Sequence, residues 1–251
     1  RPPISTLFPY TTLFRSYIRM SYPDLVEEDG VFYITETQKN IGRLHAIPGA
    51  LVEGLFDQWD NAAVCTNGLV LNLAGGKTLP AEAAMPKLPA LNARDNKRPD
   101  HGCKDLRAGF SLDLWVQMDS LTAGQALLDS RDETGAGILV ATTAEGTIGI
   151  TLNDGRSECA WDCDRGAIRA GKPQHVVVTV DGGPKVITFV VDGILCDGGD
   201  ERQFGWGRYS PNLRTPNGSP TLKIAPAVRG LRLYNRALRT SEAVGNFRAG
   251  K

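Results

Sequence analysis

The feature that most constrains this chain is a series of short apolar segments, separated by turn residues, that runs from residue 68 to residue 234. In the clearest segment, residues 110–118, apolar side chains occupy the even-numbered positions, and Ser111, Asp113 and Gln117 lie between them. Alternation with a period of two predicts a β-strand that is covered on one face only. Further strands are expected at 68–73, 126–129, 137–142, 147–152, 175–180, 186–191, 222–225 and 228–234.

Turn residues separate these segments at regular intervals. Asp154-Gly155, Asp181-Gly182 and Asp192-Gly193 each follow a predicted strand, and glycine at such steps accepts the positive φ that tight turns need. The 28 glycines and 15 prolines are scattered rather than periodic. Many short strands with almost no helical pattern predict an all-β sandwich or barrel.

Charge and hydropathy exclude two classes of partner. Lys and Arg together number 28, as do Asp and Glu, so no net field attracts nucleic acid or an anionic membrane surface. No apolar run is long enough to span a bilayer. We therefore expect neither a nucleic-acid partner nor a membrane partner.

The first sixteen residues, RPPISTLFPYTTLFRS, do not look like natural protein. They resemble the translation of a short-read sequencing adapter, RPPRSTLFPYTTLFRS, from which only Ile4 departs. We expect residues 1–16 to be an unstructured artefact of a truncated metagenomic assembly, with any signal peptide encoded upstream.

Residues 17–61 predict a small amount of additional structure. Two short β-like runs flank Asp29-Gly30, which predicts a hairpin, and Pro48 begins a stretch with apolar residues at helical spacing. A hairpin and a helix alone bury too little apolar surface to be stable. We expect them to pack on the following domain or to belong to a larger one.

The segment SYPDLVEEDGVFYITETQ, residues 21–38, resembles the last blade of a sialidase-like β-propeller built from neuraminidase repeats. The resemblance implies that residues 17–61 are the remnant of a truncated blade plus a helix. It would place a nucleophilic tyrosine at Tyr22 and a nearby acid at Glu36. The arginine triad and the Asp-box repeats of sialidases are absent from the sequence, which favours an ordinary strand role for Tyr22.

Residues 62–251 carry a second resemblance. The closing segment, 231–247, together with GFSLDLWV at 109–116 and KPQHVVVTVDGGPKVITFVVDG at 172–193, is similar to laminin-G-like domains. The resemblance implies an antiparallel two-sheet jelly-roll sandwich of the concanavalin A-like type. Thr240 or Ser241 is expected to cap a short closing helix, whose apolar residues fold onto the sandwich.

Catalytic motifs are missing from this domain sequence. Sandwiches of this type include glycan hydrolases, lyases and lectins, so the fold alone decides nothing about activity. The laminarinase-like hydrolases carry Glu-x-Asp-x-Glu on a central strand, and the sequence has no such pattern. His175 begins a predicted strand and is expected to be a buried structural histidine.

The most unusual stretch is residues 158–166, in which Cys159 and Cys163 flank Trp161. Asp162 and Asp164 are candidates for calcium ligands, because calcium prefers several hard oxygen donors. A tight disulfide loop, a sugar-stacking tip and a plain hairpin with Trp161 packed inward are the alternatives.

A second candidate site is the aromatic, glycine-spaced loop at residues 202–211. Aromatic rings stack on the C–H faces of sugars, and flanking polar groups select hydroxyls. If the domain binds glycans, we expect Trp206, Arg208 and Tyr209 of this loop to contact the sugar together with Trp161. The alternative is a loop that packs Trp206 against the edge of the sheet.

These observations predict a non-catalytic carbohydrate-binding or structural module from the C-terminus of a secreted sialidase-like protein. The alternative is a fragment of a glycoside hydrolase of the exo-sialidase type whose catalytic propeller is truncated. The expected partner is a glycan or the missing propeller, and no cofactor is expected unless calcium binds at the acidic loop. Disulfide connectivity stays open for the five cysteines, Cys65, Cys103, Cys159, Cys163 and Cys196.

Overall fold

The computed structural model of the chain describes residues 23–38, 41–73, 78–91 and 109–250. Residues 1–16, which were predicted to be an artefact, lie outside these ranges, as do Tyr22 and Cys103. The described chain forms two large antiparallel sheets, a small N-terminal sheet and two short helices.

The N-terminal sheet contains β1 (Leu25–Glu28), β2 (Val31–Gln38) and β3 (Ile41–Ile47), and helix α1 (Gly49–Phe56) follows it. The strands of the sandwich are β4 (Leu69–Asn72), β5 (Glu82–Ala84), β6 (Gly109–Gln117), β7 (Ala126–Asp129), β8 (Gly137–Thr142), β9 (Ile148–Asn153), β10 (Glu158–Asp162), β11 (Pro173–Asp181), β12 (Val186–Val191), β13 (Ile194–Leu195), β14 (Gly207–Arg208), β15 (Thr221–Ile224) and β16 (Val228–Tyr234). Helix α2 (Thr240–Ala249) follows the last strand.

The two large sheets form the predicted sandwich. The six-stranded sheet has the order β10-β9-β8-β7-β15-β5, and the seven-stranded sheet has the order β13-β12-β11-β6-β16-β4, with β14 paired to β12. Every pairing within these sheets is antiparallel. Apolar side chains at alternate positions of both sheets meet in one core that includes Phe110, Ile150 and Phe189. The structure thus confirms the two-sheet sandwich of the concanavalin A-like type.

Strand β6 differs from the prediction, because both of its faces are buried rather than one. The even-numbered side chains point into the core, as expected, but Ser111 and Asp113 on the other face are also fully buried. Helix α2 covers this outer face: Asn246 contacts Asp113, and the ring of Phe247 stacks on Trp115 with a centroid distance of 6.1 Å. Alternation in the sequence cannot show what covers the second face.

Asp113 is the centre of a buried hydrogen-bond network beneath α2. Its Oδ1 accepts from His175 Nε2 at 3.0 Å and from Arg232 Nη1 at 3.5 Å, and its Oδ2 accepts from Asn246 Nδ2 at 2.6 Å. These donors come from β11, β16 and α2, so one carboxylate joins two neighbouring strands to the helix. His175 is fully buried, as predicted.

Helix α2 is also anchored at its ends. Asn246 Oδ1 accepts from the Cys65 backbone N–H at 2.7 Å, which ties the chain before β4 to the helix. The predicted cap is wrong: Thr240 and Ser241 lie within the helix, and neither caps it. Instead, Glu242 Oε2 accepts from the Arg239 backbone N–H at 2.8 Å.

The N-terminal sheet has three strands, whereas the sequence predicted a two-stranded hairpin. Helix α1 follows it as expected, but its apolar pattern does not produce a buried face, since Val52 is buried while Phe56 and the following Trp59 are exposed. Arg239 Nη1 donates to the Ala50 carbonyl at 3.0 Å and links α1 to the start of α2. No helix within the described ranges is long and apolar enough to cross a membrane.

Removal of the Asp113 carboxylate is expected to be strongly destabilising. Asp113→Ala leaves His175, Arg232 and Asn246 buried without their shared acceptor. We expect the free energy of unfolding, measured by urea titration, to fall by about 3–5 kcal/mol. The control Asp119→Ala, at an exposed position two residues after β6, should change it by less than about 0.5 kcal/mol. A similar small change in Asp113→Ala would contradict the role given to the network.

Asp181 is a second carboxylate in an unfavourable environment. It ends β11, where its Oδ1 accepts from the Gly183 N–H at 2.9 Å and its carbonyl accepts from the Tyr209 hydroxyl at 3.1 Å. Burial raises the pKa of Asp181 from 3.8 to about 6, although the Gly183 hydrogen bond acts to lower the pKa.

Asp181→Asn should therefore change stability in a pH-dependent way. The folded state holds this proton more tightly than the unfolded state, so stability is lost as the pH rises from about 4 through about 6. Asparagine keeps the acceptor for Gly183 but carries no charge. We expect the variant to be about 1–3 kcal/mol more stable than the parent at about pH 8 and equally stable at about pH 4 in urea titrations. Equal stabilities at both pH values would show that Asp181 ionises without cost.

Candidate functional site

A concavity lies at the edge of the sandwich, where β10 of the six-stranded sheet meets the segment that follows β13 of the seven-stranded sheet. Its volume is about 470 Å³. The lining residues are Glu145, Asp162, Cys163, Asp164, Arg165, Gly198, Gly199, Asp200, Glu201 and Arg202. Residues from the first candidate loop and from the start of the second therefore share one surface depression.

Next to this concavity, the Trp161 side chain packs against the core between the two sheets. Residues 158–162 form β10, paired with β9, and the Trp161 ring is half-buried against the core. Its Nε1 donates to the Gly205 carbonyl at 3.2 Å, and a Cβ atom at Gly207 would lie only 2.3 Å from the ring. Glycine is needed at 207 for this packing. Of the alternatives for this segment, the structure shows the hairpin with Trp161 packed inward.

Arg202 binds both acids of the first loop. Its Nη1 lies 3.0 Å from Asp162 Oδ1, its Nη2 lies 2.6 Å from Asp164 Oδ1, and its Cζ lies 4.7 Å from the centroid of the Trp161 ring. Burial acts to lower the pKa of Arg202, but the hydrogen bonds and charges of Asp164 and Asp162 outweigh burial and raise the pKa. This ion-pair cluster fixes the loop after β13 against β10.

The ion pairs of Arg202 do not fit the calcium hypothesis. The guanidinium occupies the position between Asp162 and Asp164 that a bridging cation would need. Within the part of the chain that the structure describes, no three His, Cys, Asp or Glu side chains are grouped so that they could hold a metal ion. Calcium at this loop would have to displace Arg202.

Arg165 and Asp200 complete the charged lining. Arg165 Nε lies 3.0 Å from Glu201 Oε2, and its Nη2 pairs with Glu145. Asp200 is exposed and has no hydrogen bond or ion pair to any residue in the described ranges. Most charged side chains that line the concavity are therefore already in ion pairs. The carboxylate of Asp200 is the exception among the described residues.

An aromatic stack stands beside the concavity, on the second candidate loop. The rings of Phe204 and Trp206 stack with a centroid distance of 4.8 Å, and Arg208 Cζ lies 5.6 Å from the centroid of the Trp206 ring. Phe204 is 48% exposed, whereas Trp206 is half-buried, so Phe204 presents the more accessible face. The sequence analysis selected Trp206 and Arg208 but missed Phe204, although its place in the same aromatic loop was a usable signal.

Tyr209 occupies a different position from the other predicted sugar-binding residues. Its side chain is buried in the main core, and its hydroxyl donates to the Asp181 carbonyl at 3.1 Å. β14 ends at Arg208, and alternation along the chain turns the Tyr209 side chain inward while Arg208 points to solvent. Tyr209 is therefore not part of the surface cluster.

The cysteines of the described ranges are free thiols: Cys65, Cys159, Cys163 and Cys196. Burial raises the pKa of Cys163 to about 12 and that of Cys196 to about 11. Both thiols are therefore protonated near neutral pH and act as small core side chains next to the concavity. The predicted alternative of a tight Cys159–Cys163 disulfide loop is wrong for this structure.

The residues of the sialidase-like pair fall largely outside what the structure describes. Tyr22 lies outside the described residues, and for Glu36 only the backbone position within β2 is described. The catalytic interpretation of these two residues remains an expectation from resemblance.

The family of the chain follows from a sequence comparison. Residues 96–243 match a laminin-G family model described as the concanavalin A-like lectin/glucanases superfamily. This match covers more than half of the chain, and the chain belongs to that superfamily. No curated protein matches the chain in sequence.

Several solved structures are similar in fold. The CBM40 of Ruminococcus gnavus IT-sialidase, bound to α2,3-sialyllactose, is 17% identical with a TM-score of 0.41, over 70% of this chain and 98% of that one. The botulinum neurotoxin serotype D binding domain is 12% identical with a TM-score of 0.44, over 58% and 38%. Trypanosoma rangeli sialidase in complex with 2,3-difluorosialic acid is 18% identical with a TM-score of 0.41, over 91% and 44%. At these values the similarity concerns the fold alone.

Proposed function

We propose that the chain is a non-catalytic carbohydrate-binding module whose ligand binds at the edge of the sandwich. The observation that carries this proposal is the stack of Phe204 on Trp206, with Arg208 beside it, next to a concavity of about 470 Å³. An exposed aromatic face, a neighbouring depression and a few polar groups are the usual components of a small-ligand site. We name Phe204, Trp206, Arg208 and the lining of the concavity the edge site.

Membership of a superfamily of lectins and glucanases supports a carbohydrate ligand, although a fold does not by itself specify a function. The arrangement of the acids supports binding rather than hydrolysis. Asp162 and Asp164 are held by Arg202, and Glu145 and Glu201 are held by Arg165. Carboxylates held in such ion pairs fix the loops in place, whereas a glycosidase uses a pair of carboxyl groups that face the scissile bond.

The proposal includes the parent architecture. The module would lie at the C-terminus of a secreted sialidase-like protein, and the three-stranded N-terminal sheet would be the remnant of a propeller blade. The resemblance of residues 21–38 supports this arrangement. In the alternative, the chain is a fragment of an exo-sialidase-type glycoside hydrolase; an upstream coding sequence with an arginine triad would favour it.

A glycan array tests carbohydrate binding directly. Phe204→Ala removes the most exposed ring of the edge site, and Trp206→Ala removes the ring beneath it; each should weaken binding about tenfold or more, because stacking area is lost. Trp59→Ala is the matched control, since Trp59 is 52% exposed but lies after α1, outside the edge site. Binding should be the same with calcium and with chelator.

Two outcomes would contradict the proposal. A folded protein that binds no glycan on the array would indicate a structural packing domain. Binding that survives both Phe204→Ala and Trp206→Ala would place the site elsewhere on the sandwich.

A further inference from the structure

We propose that the edge site selects sugars that carry a free amine, such as hexosamines, and disfavours sugars that carry a carboxylate. This inference rests on the proposed carbohydrate-binding function and concerns the ligand class of the same site. It is based on the net negative charge of the concavity and on the ion pairs that its arginines already form.

The concavity is negatively charged overall. Five carboxylates and two guanidinium groups line it, so its formal charge is −3 near neutral pH. The Phe204 backbone adjoins this lining at Gly198: a Cβ atom at Gly198 would be 2.9 Å from the Phe204 carbonyl carbon. With Arg208, which lies over the Trp206 ring, the whole edge site still has a formal charge of −2. A carboxylated sugar would therefore be repelled, whereas an ammonium group would be attracted.

Neither of the arginines that line the concavity is available to bind a ligand carboxylate, since Arg165 already pairs with Glu145 and Glu201. Arginine recognises carboxylates through its planar fork of N–H donors. The fork of Arg202 is occupied by Asp162 and Asp164, and Arg202 Nη1 and Nη2 also donate to the Asp162 carbonyl at 3.2 Å. A ligand carboxylate would have to break these ion pairs, which hold the loop after β13 to β10.

Asp200 is the group that can accept a new cation. It lines the concavity, is exposed, and has no partner among the described residues. It lies four residues before Phe204, on the loop that carries the aromatic stack. An amine-bearing sugar that stacks on Phe204 can place its ammonium group toward Asp200 without displacing either arginine.

Isothermal titration calorimetry of the full chain tests this inference with three probes. These are deacetylated chitotetraose, which carries amines, its fully acetylated and neutral counterpart, and 3′-sialyllactose, which carries a carboxylate. At about pH 6 and low ionic strength, the amine-bearing probe should bind on the order of fivefold more tightly than the neutral one. Added salt should reduce this preference, and 3′-sialyllactose should bind most weakly.

The variants separate charge selection from stacking. Asp200→Asn should abolish most of the preference for the amine-bearing probe, so that this probe binds about as tightly as the neutral one. Glu133→Gln removes one charge from an exposed turn outside the edge site and should leave the preference intact. Phe204→Ala should weaken both probes equally, because it removes the shared stacking face.

The inference fails if 3′-sialyllactose binds as tightly as the amine-bearing probe, or if Asp200→Asn keeps the full preference. Either result would leave the proposed carbohydrate-binding function intact, provided that binding still depends on Phe204. If no carbohydrate binds in these titrations or on the array, the proposed function and this inference are both wrong.

Discussion

The carboxylate of Asp113 is the constraint on which the rest of the sandwich depends. A buried carboxylate is costly unless charged and polar donors surround it. Here the donors are His175, Arg232 and Asn246, which come from the two neighbouring strands and from the final helix. The network forms only when β11, β6 and β16 are in register and α2 lies across them. It therefore specifies the register of the central strands and the position of the helix together.

Covering the outer face of the seven-stranded sheet has a consequence for function. Phe247 of α2 stacks on Trp115, and a Cβ atom at Gly193, where φ is +77°, would approach the Phe247 ring to 2.7 Å. Side chains of α2 thus cover this outer face. The concavity lies elsewhere, at the edge of the sandwich between β10 and the loop after β13. Arg202 closes that loop onto β10 and leaves the Phe204 ring exposed.

Much of the fold could be predicted from the sequence. Strands β7, β8, β12 and β16 have the predicted bounds, because each is a short apolar run flanked by glycine, proline or polar residues. The short edge strands β5, β13 and β14 were not predicted, since two or three residues carry no periodicity. The buried outer face of β6 was not predicted either, because burial there depends on a helix about 130 residues away in sequence, as the Asn246–Asp113 contact shows.

The candidate site was predicted in outline but not in its details. The two loops were identified from their unusual composition, and the structure brings them together. The roles of individual rings could not be read from composition: Trp161 packs inward, Tyr209 enters the core, and Phe204 is the exposed ring. Arg202 was not singled out, because its pairing with Asp162 and Asp164 joins residues about 40 apart in sequence.

The central claim is that a carbohydrate binds at the edge of the sandwich and not on a sheet face. The most direct test is a ¹H–¹⁵N NMR titration of the full chain with deacetylated chitotetraose. The account predicts that shift changes concentrate at residues 198–208 and include the indole N–H of Trp206. Changes that concentrate instead on the outer face of the six-stranded sheet, at Leu139 and Thr151, would contradict it.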